Sequence, residues 1–563
     1  MNAQYIMKSL QNLFSLKIIL SFVMLFGTFL FAFGQDPYVT VWMTNPMFSD
    51  NPDQITIPAE GMYDYSWEEL DDPDNTGSGS GDGEITIVFP NPGIYKVEMT
   101  PTGENPFHRI ELGGSSDQAY YKIRDVLQWG DVVWSSFENA YNGVWFSEIN
   151  AEDIPDLSQV TSMKGAFANA DLETINRMNE WDVSNVTDMA DTFHFAEFFN
   201  EDITDWDVSN VEDMSNMFAI ANAFNQPIGN WDVSSVTDMS GMFIEDDFLA
   251  RPAAQNKGFN VTEETDSDPW GFDQPIGNWD VSNVTNMTGM FSGAFKFNQP
   301  IGDWDVSNVT EMSGIFAGAE FFNQPLNDWD VSNITNMQAM FGDAKSFNQP
   351  LDNWDVSNVD NMMSLFNGAS AFNQPLNDWD VSNVMEFHFT FFGAGSFNQS
   401  LEDWVFASDA QANGIFWNSG MDCKNFSLSL KGWSDNPQTG TDMFFLADLE
   451  YSPEVVEELN YLSDTLNWSF QDLTEGNCIL STNMVDTPEF KVFPNPTKNQ
   501  VTIEGLSGDE QLNLLDINGR NLQTYQVTKN QFSFALDGLS KGVYFVVINS
   551  DKNTPVQKRI IKN

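Results

Sequence analysis

Apolar residues recur through the middle of the chain in fixed columns, best counted from the Trp of the pattern Trp-Asp-Val-Ser-Asn-Val. Those tryptophans are Trp181, Trp206, Trp231, Trp279, Trp304, Trp329, Trp354 and Trp379, with a degenerate ninth at Trp404. They are spaced by 25 residues except for one interval of 48, which is one period plus a 23-residue insertion. Ile or Leu stands three residues before each Trp from Trp206 on, and Val two after each of the eight regular ones, from Val183 to Val381. Val or Ile follows at five, Met (finally Phe387) at eight and Phe at twelve. A fixed period in this range reads as stacked coils, none of which buries enough apolar surface to stand alone. The columns predict a short strand with Trp and Val inward, then a turn of helix at Met-x-x-Met-Phe on the opposite side.

The spacing Ile-x-x-Trp-x-Val-x-x-Val matches the leucine-rich template. The expected fold is a repeat solenoid, leucine-rich-repeat-like, with parallel β on the concave face and ~25-residue coils. β-sandwich-like N- and C-terminal domains are expected to flank it. Strand-like runs at Tyr38–Trp42, Glu84–Phe89 and Gly93–Met99 mark the first of these, at 35–114. The run Asn91-Pro92-Gly93-Ile94-Tyr95-Lys96-Val97 resembles a polycystic-kidney-disease-like sandwich, though the Trp-Gly-Asp-Gly of that family is missing. The acidic stretch Asp71-Asp72-Pro73-Asp74-Asn75-Thr76-Gly77 partly imitates a calcium loop, but Gly83 holds its twelfth position, so a flexible loop is expected.

The two ends read as addresses. Lys8 and Lys17 precede an uncharged apolar run, Ile18–Phe33, closed by Ala32-Phe33-Gly34. A signal peptide at 1–34 is expected, a retained anchor being the alternative. No later segment is apolar enough to span a membrane, so the mature chain is expected to carry no transmembrane span. Near the other end stand Val492-Phe493-Pro494-Asn495-Pro496, Leu539-Ser540-Lys541-Gly542-Val543-Tyr544 and Lys558-Arg559-Ile560-Ile561-Lys562. The stretch 486–563 resembles the type IX secretion system C-terminal sorting domain. The resemblance implies a small β-sandwich read by the type IX secretion machinery, and delivery to the extracellular side of the outer membrane. Gly538-Leu539-Ser540-Lys541-Gly542 matches G-x-S-x-G, but no His follows and a β-like run does, so it reads as a turn entering a strand.

The segment Phe297–Met312, with close cognates throughout, resembles the BspA-like leucine-rich-repeat surface proteins. An N-terminal cap at 115–154, repeats at 155–404 with an insertion about 244–271, and a C-terminal cap at 405–483 follow from that resemblance. It implies a surface-exposed, non-enzymatic protein linked to adhesion. Cys423 and Cys478, the only cysteines, bracket the C-terminal cap and allow a disulfide in an oxidising setting.

Charge narrows the partners. The 563 residues carry 82 Asp and Glu against 23 Lys and Arg, a net charge of −59. Nucleic acid and anionic membrane surfaces are therefore disfavoured. With two Cys and three His, a Cys-based zinc ribbon or His-rich metal catalysis is not expected. Much of the acidity is periodic, because one residue after Trp stands Asp182, Asp207, Asp232, Asp280, Asp305, Asp330, Asp355 and Asp380. If Trp and Val point inward, these eight face outward on the concave side and form the candidate ligand-binding row. Like charges ~5 Å apart cost about 0.8 kcal/mol in water and about 3 at an effective dielectric of 20. Three reliefs remain open: hydrogen bonds from Ser and backbone amides; calcium between adjacent coils at Asp280, Asp305, Asp330 and Asp355; or a cationic or polyhydroxyl partner. The expected function is a secreted, cell-surface, non-enzymatic binding or adhesion module for a glycan or protein ligand. The alternatives are a calcium-stiffened structural surface component and, more remotely, an extracellular hydrolase.

Overall fold

The computed structural model describes residues 35–44, 52–114, 119–146, 148–245, 271–480, 490–550 (other than 496, 507, 509 and 518) and 553–562. The expected signal peptide lies outside them, as do residues 246–270 of the insertion. The chain divides into two compact units, 1–478 and 479–563.

The N-terminal part of the first unit is a five-stranded antiparallel sheet. Its order is Asp72–Asp82, Met62–Glu69, Ile94–Pro101, Tyr38–Met43, Ile123–Gln128. Ile94–Pro101 alternates half-buried and buried residues along its length, as period-two patterning requires of a strand with one face in a core. The acidic stretch expected as a loop is instead the start of the edge strand. Gly77, Gly79 and Gly81 explain this. A Cβ on each would lie 2.4, 2.6 and 2.4 Å from the rings of Trp67, Tyr65 and Tyr63 on the neighbouring strand. Aromatic rings thus cover bare glycine backbone, a known stabiliser of poor strand formers.

The expected parallel-β solenoid is not what forms, and the leucine-rich-repeat-like assignment is corrected here. From 181 to 410 the described residues hold no strand and no helix. In place of a strand ladder, neighbouring repeats form isolated parallel bridges, such as Asp188↔Asp213, Asp213↔Asp238 and Asn361↔Glu386. The extended sheets of the molecule lie outside the repeats and are mostly antiparallel. The physical reason is the step between buried residues. Ile203, Trp206, Val208, Val211, Met214, Met217, Phe218, Ala221 and Phe224 are all buried, and most steps between them are three residues long. A strand needs steps of two. The backbone answers with a train of i→i+3 turns: Trp206 N–H to Ile203 O (3.2 Å), Val211 to Val208 (2.9 Å), Met217 to Met214 (3.2 Å), Ala219 to Asn216 (3.0 Å) and Ala221 to Phe218 (3.0 Å).

The expected helical turn at Met-x-x-Met-Phe fails for a related reason. Two positions in it are left-handed, ten and fourteen residues after Trp. Asn216 and Ile220 have φ of 52° and 60°, and Gly314 and Gly318 have 63° and 75°. A residue at positive φ ends a right-handed helix. It also turns alternate N–H groups toward the next repeat, so Met214, Asn216, Phe218 and Ile220 donate to Asp238, Ser240, Met242 and Ile244 at 2.6–3.0 Å. The intervening N–H groups close the local turns, so backbone donors along this segment are satisfied without a strand or helix.

Side chains continue the stacking. Phe193, Phe218, Phe243, Phe291, Phe316, Phe341, Phe366 and Phe391 form one column of rings with centroids 5.6–5.9 Å apart. A second column, Phe199 to Phe397, lies 3.8–4.1 Å from the first. Both run on through Phe243 and Phe272, which flank the insertion, so the extra residues leave the stack in register. Beyond the repeats, Asp422 caps the helix Cys423–Asp435 by accepting from Asn425 N–H at 2.8 Å. Cys423 is bonded to Cys478, closing the exit region.

The second unit consists of a three-stranded and a four-stranded antiparallel sheet. Val501 and Ile503 from the first and Leu512, Leu514, Val546 and Ile548 from the second share one buried cluster. The G-x-S-x-G stretch is a turn leading into the strand Gly542–Ser550. Lys562 Nζ donates to Leu536 O and Leu539 O there, both at 2.8 Å.

Candidate functional site

All eight Asp residues of the candidate row are exposed, and each sits at the same register of its repeat. No sheet places them. Each accepts through Oδ1 from the backbone N–H of the Ser two residues on, at 3.1–3.2 Å. In all but Asp380 the Ser Oγ–H donates to the same oxygen at 2.6 Å. These are side-chain-closed turns, in which the carboxylate replaces a backbone acceptor. Ser307 and Ser357 hold the carboxyls of Asp305 and Asp355 below the usual carboxylate range, the hydroxyl contributing most and the amide next. Oδ2 takes no partner among the described residues. The four Asp considered for calcium are bonded in the same way, and no group of three or more potential metal ligands gathers among the described residues.

The row is tied laterally by residues that sequence reasoning passed over. Asn308, Asn333, Asn358 and Asn383, four after each Trp, donate Nδ2–H to the Ser carbonyl of the preceding repeat at 2.7–2.8 Å. A second ladder runs along the Phe-Asn-Gln-Pro segment. Asn323 Oδ1 accepts from Asn348 N–H (3.0 Å) and Gln349 Nε2 (3.0 Å), and Asn348 Oδ1 does the same for Asn373 and Gln374 (2.9 and 3.0 Å). Asp273 fills one rung and accepts from Asn298 and Gln299 at 3.0 and 2.8 Å. The signal was present in the sequence as an Asn or Asp at one register of every repeat, masked by reading only the apolar columns.

Among the described residues, concavities also lie outside the row. One, of about 500 Å³, is on the N-terminal sheet around Trp67, Glu68, Lys96 and Glu98, where Lys96 bridges both carboxylates at 2.7 and 3.0 Å. Another, of about 560 Å³, lies where that sheet meets the first coils, around Arg124, Asp125, Trp145 and Glu173. Among the described residues no helix is long and apolar enough to cross a membrane.

Residues 491–563 match the secretion system C-terminal sorting domain. The chain is therefore cargo of type IX secretion, delivered outside the cell or to its surface. No curated protein and no solved structure matches the chain. Residues 135–255, 262–364 and 350–450, together more than half of the sequence, match one repeat family, so the chain belongs to the family described as Mycoplasma protein of unknown function, DUF285.

Proposed function

We propose that this secreted chain is a non-enzymatic binding module which presents its row of eight Asp side chains to an extracellular glycan or protein ligand. The observation that carries the reading is the uniform construction of the row. Every carboxylate is exposed and fixed by its Ser through Oδ1, and Oδ2 is left as an outward acceptor. Fixing the acceptors before binding removes part of the ordering cost of recognition. A row at constant pitch also allows several weak contacts to act together on a polymeric or extended ligand. The favoured partner donates hydrogen bonds or positive charge, because the row offers acceptors and negative charge only.

The test is a screen of the mature chain against glycans and matrix proteins, repeated with Asp305, Asp330 and Asp355 changed together to Asn. Asn keeps an acceptor for the Ser turn while removing the charge. Loss of a specific hit in a variant that melts like the parent supports the reading. An unchanged hit places the binding elsewhere.

A further inference from the structure

The amide ladder along one side of the regular repeats begins with a rung of different make-up. Asp125 accepts from the backbone N–H and Nδ2 of Asn150 at 3.1 and 2.9 Å, just as Asn200 accepts from Asn225 N–H at 2.9 Å further along. In the regular repeats the next residue is Gln, which reaches back across the ladder, as Gln324 does to Asn298 at 2.8 Å. After Asn150 comes Ala151, which is buried and reaches nothing. Asp125 and Asn150 of this first rung line the cleft of about 560 Å³, within the ~300–1,000 Å³ typical of small-ligand sites.

Its apolar lining is Trp145, Phe146 and Phe198, and Trp145 is 55 % exposed where the other described tryptophans are buried or half-buried. The indole is held in place: Tyr121 packs against it at 4.5 Å with planes at 85°, and its N–H on the backbone donates to Tyr120 O at 3.4 Å. Around it stand Arg124, Asp125, Asn150 and Glu173. Burial, opposed by the bonds from Asn150, raises the Asp125 carboxyl above its ordinary value.

We propose that this cleft binds a neutral oligosaccharide, with the indole of Trp145 as the platform for a sugar ring. A pyranose offers an apolar C–H face to a flat aromatic and a rim of hydroxyls to planar polar groups, and the cleft supplies both. Carboxylates accept from hydroxyls while Arg124 donates to them. Glu148 and Asp171 also line the cleft, so four carboxylates face one guanidinium and an acidic saccharide is repelled. A cationic peptide fits less well, because the Arg124 guanidinium sits within the cleft. This site stands independently of the Asp row.

The mature chain would be titrated by calorimetry with cellohexaose, chitohexaose, maltoheptaose and mannohexaose, and separately with polygalacturonate and a Lys-rich peptide. Binding of at least one neutral oligosaccharide is expected, weakened on the order of tenfold by Trp145→Ala, with partial recovery in Trp145→Phe. Glu173→Gln, at an exposed position, is expected to weaken it about threefold, and serves if the Trp145 variant fails to fold. The triple Asn variant of the Asp row is expected to bind the sugar as the parent does, which separates failure here from failure there. The proposal is overturned if no neutral oligosaccharide binds, if Trp145→Ala and Glu173→Gln bind unchanged, or if only polygalacturonate or the peptide binds.

Discussion

The repeats and the sorting tail bury apolar side chains by opposite means. In the tail, long antiparallel strands pair residue by residue, and the core lies between two sheets. From 181 to 410 the described residues hold no strand to pair, and cohesion comes from rings, amides and carbonyls stacked on their own counterparts 25 residues away. Charge divides the same way. Residues 491–563 hold nine of the 23 Lys and Arg against six acidic residues, while the chain as a whole is at −59. The tail does not depend on repetition, whereas each repeat depends on the next being nearly identical. An error in one coil therefore removes contacts from two neighbours.

The comparison is most severely tested at the ring columns. Phe341 is fully buried and stacks on Phe316 and Phe366 at 5.7 and 5.6 Å. Phe341→Ala is expected to cost the repeat unit about 3–5 kcal/mol in denaturant unfolding and to leave the tail's transition where it was. A shift of both transitions together would contradict the two-unit description. Next comes the exit region. Replacing Cys423 and Cys478 by Ser opens a loop with a sequence separation of 55 and is expected to cost ~2–4 kcal/mol, read as a lowered midpoint of the repeat transition.

The amide ladder gives a finer test. Asn323→Ala leaves Asn348 N–H without its acceptor and Gln349 Nε2 with only the Asn323 carbonyl, and is expected to cost about 1–3 kcal/mol. Asn323→Asp is expected to stay within ~0.5 kcal/mol of the parent, because Asp273 already serves as a rung. Equal losses in the two variants would mean the ladder is not what stabilises this edge. At the left-handed turns, Ala339 holds φ at 53° where neighbouring repeats have Gly314 and Gly289. Ala339→Gly is expected to gain up to ~1 kcal/mol, strain relief slightly exceeding the entropy of Gly, and Gly314→Ala to lose a similar amount.

The smallest effect is expected from acid titration of the Asp row. Asp305 and Asp355 have lowered values, so their contribution is present above the ordinary carboxylate range and lost as pH falls through those lowered values. Ser307→Ala should move the Asp305 carboxyl back up toward its ordinary value, followed by carboxyl NMR. An unmoved titration would remove the Ser turn as its cause. Because both groups are exposed, melting temperature should change little, and chelator is expected to leave it unchanged, since Oδ1 of each Asp is already committed to its Ser.

Much of this was legible in the chain itself. The Trp, Val, Met and Phe columns are buried as their spacing implied, and the register survives the insertion between Phe243 and Phe272. The exposed Asp row and its Ser partners were visible at fixed offsets, as was the tail. The reading went wrong where one template was laid over a different step. Trp-x-Val is a two-residue step and invited a strand, but the steps around it are threes, and a train of turns resulted. The stretch 71–77 looked like a loop because what makes its glycine-rich continuation a strand is the rings on the adjacent strand. The cleft at Trp145 was not legible at all, since Arg124, Trp145 and Glu173 are brought together only by the stacking of successive turns.

By itself, then, the sequence determined which residues are buried, how often the pattern returns and where the chain is sent, because those properties are carried by spacing and local chemistry. Tertiary structure alone decided what backbone the repeats adopt and which side chains surround an open cleft. Hydrogen-bond partners 25 residues apart choose between strand and turn, and the cleft at Trp145 is lined by residues from separate segments that only folding brings together.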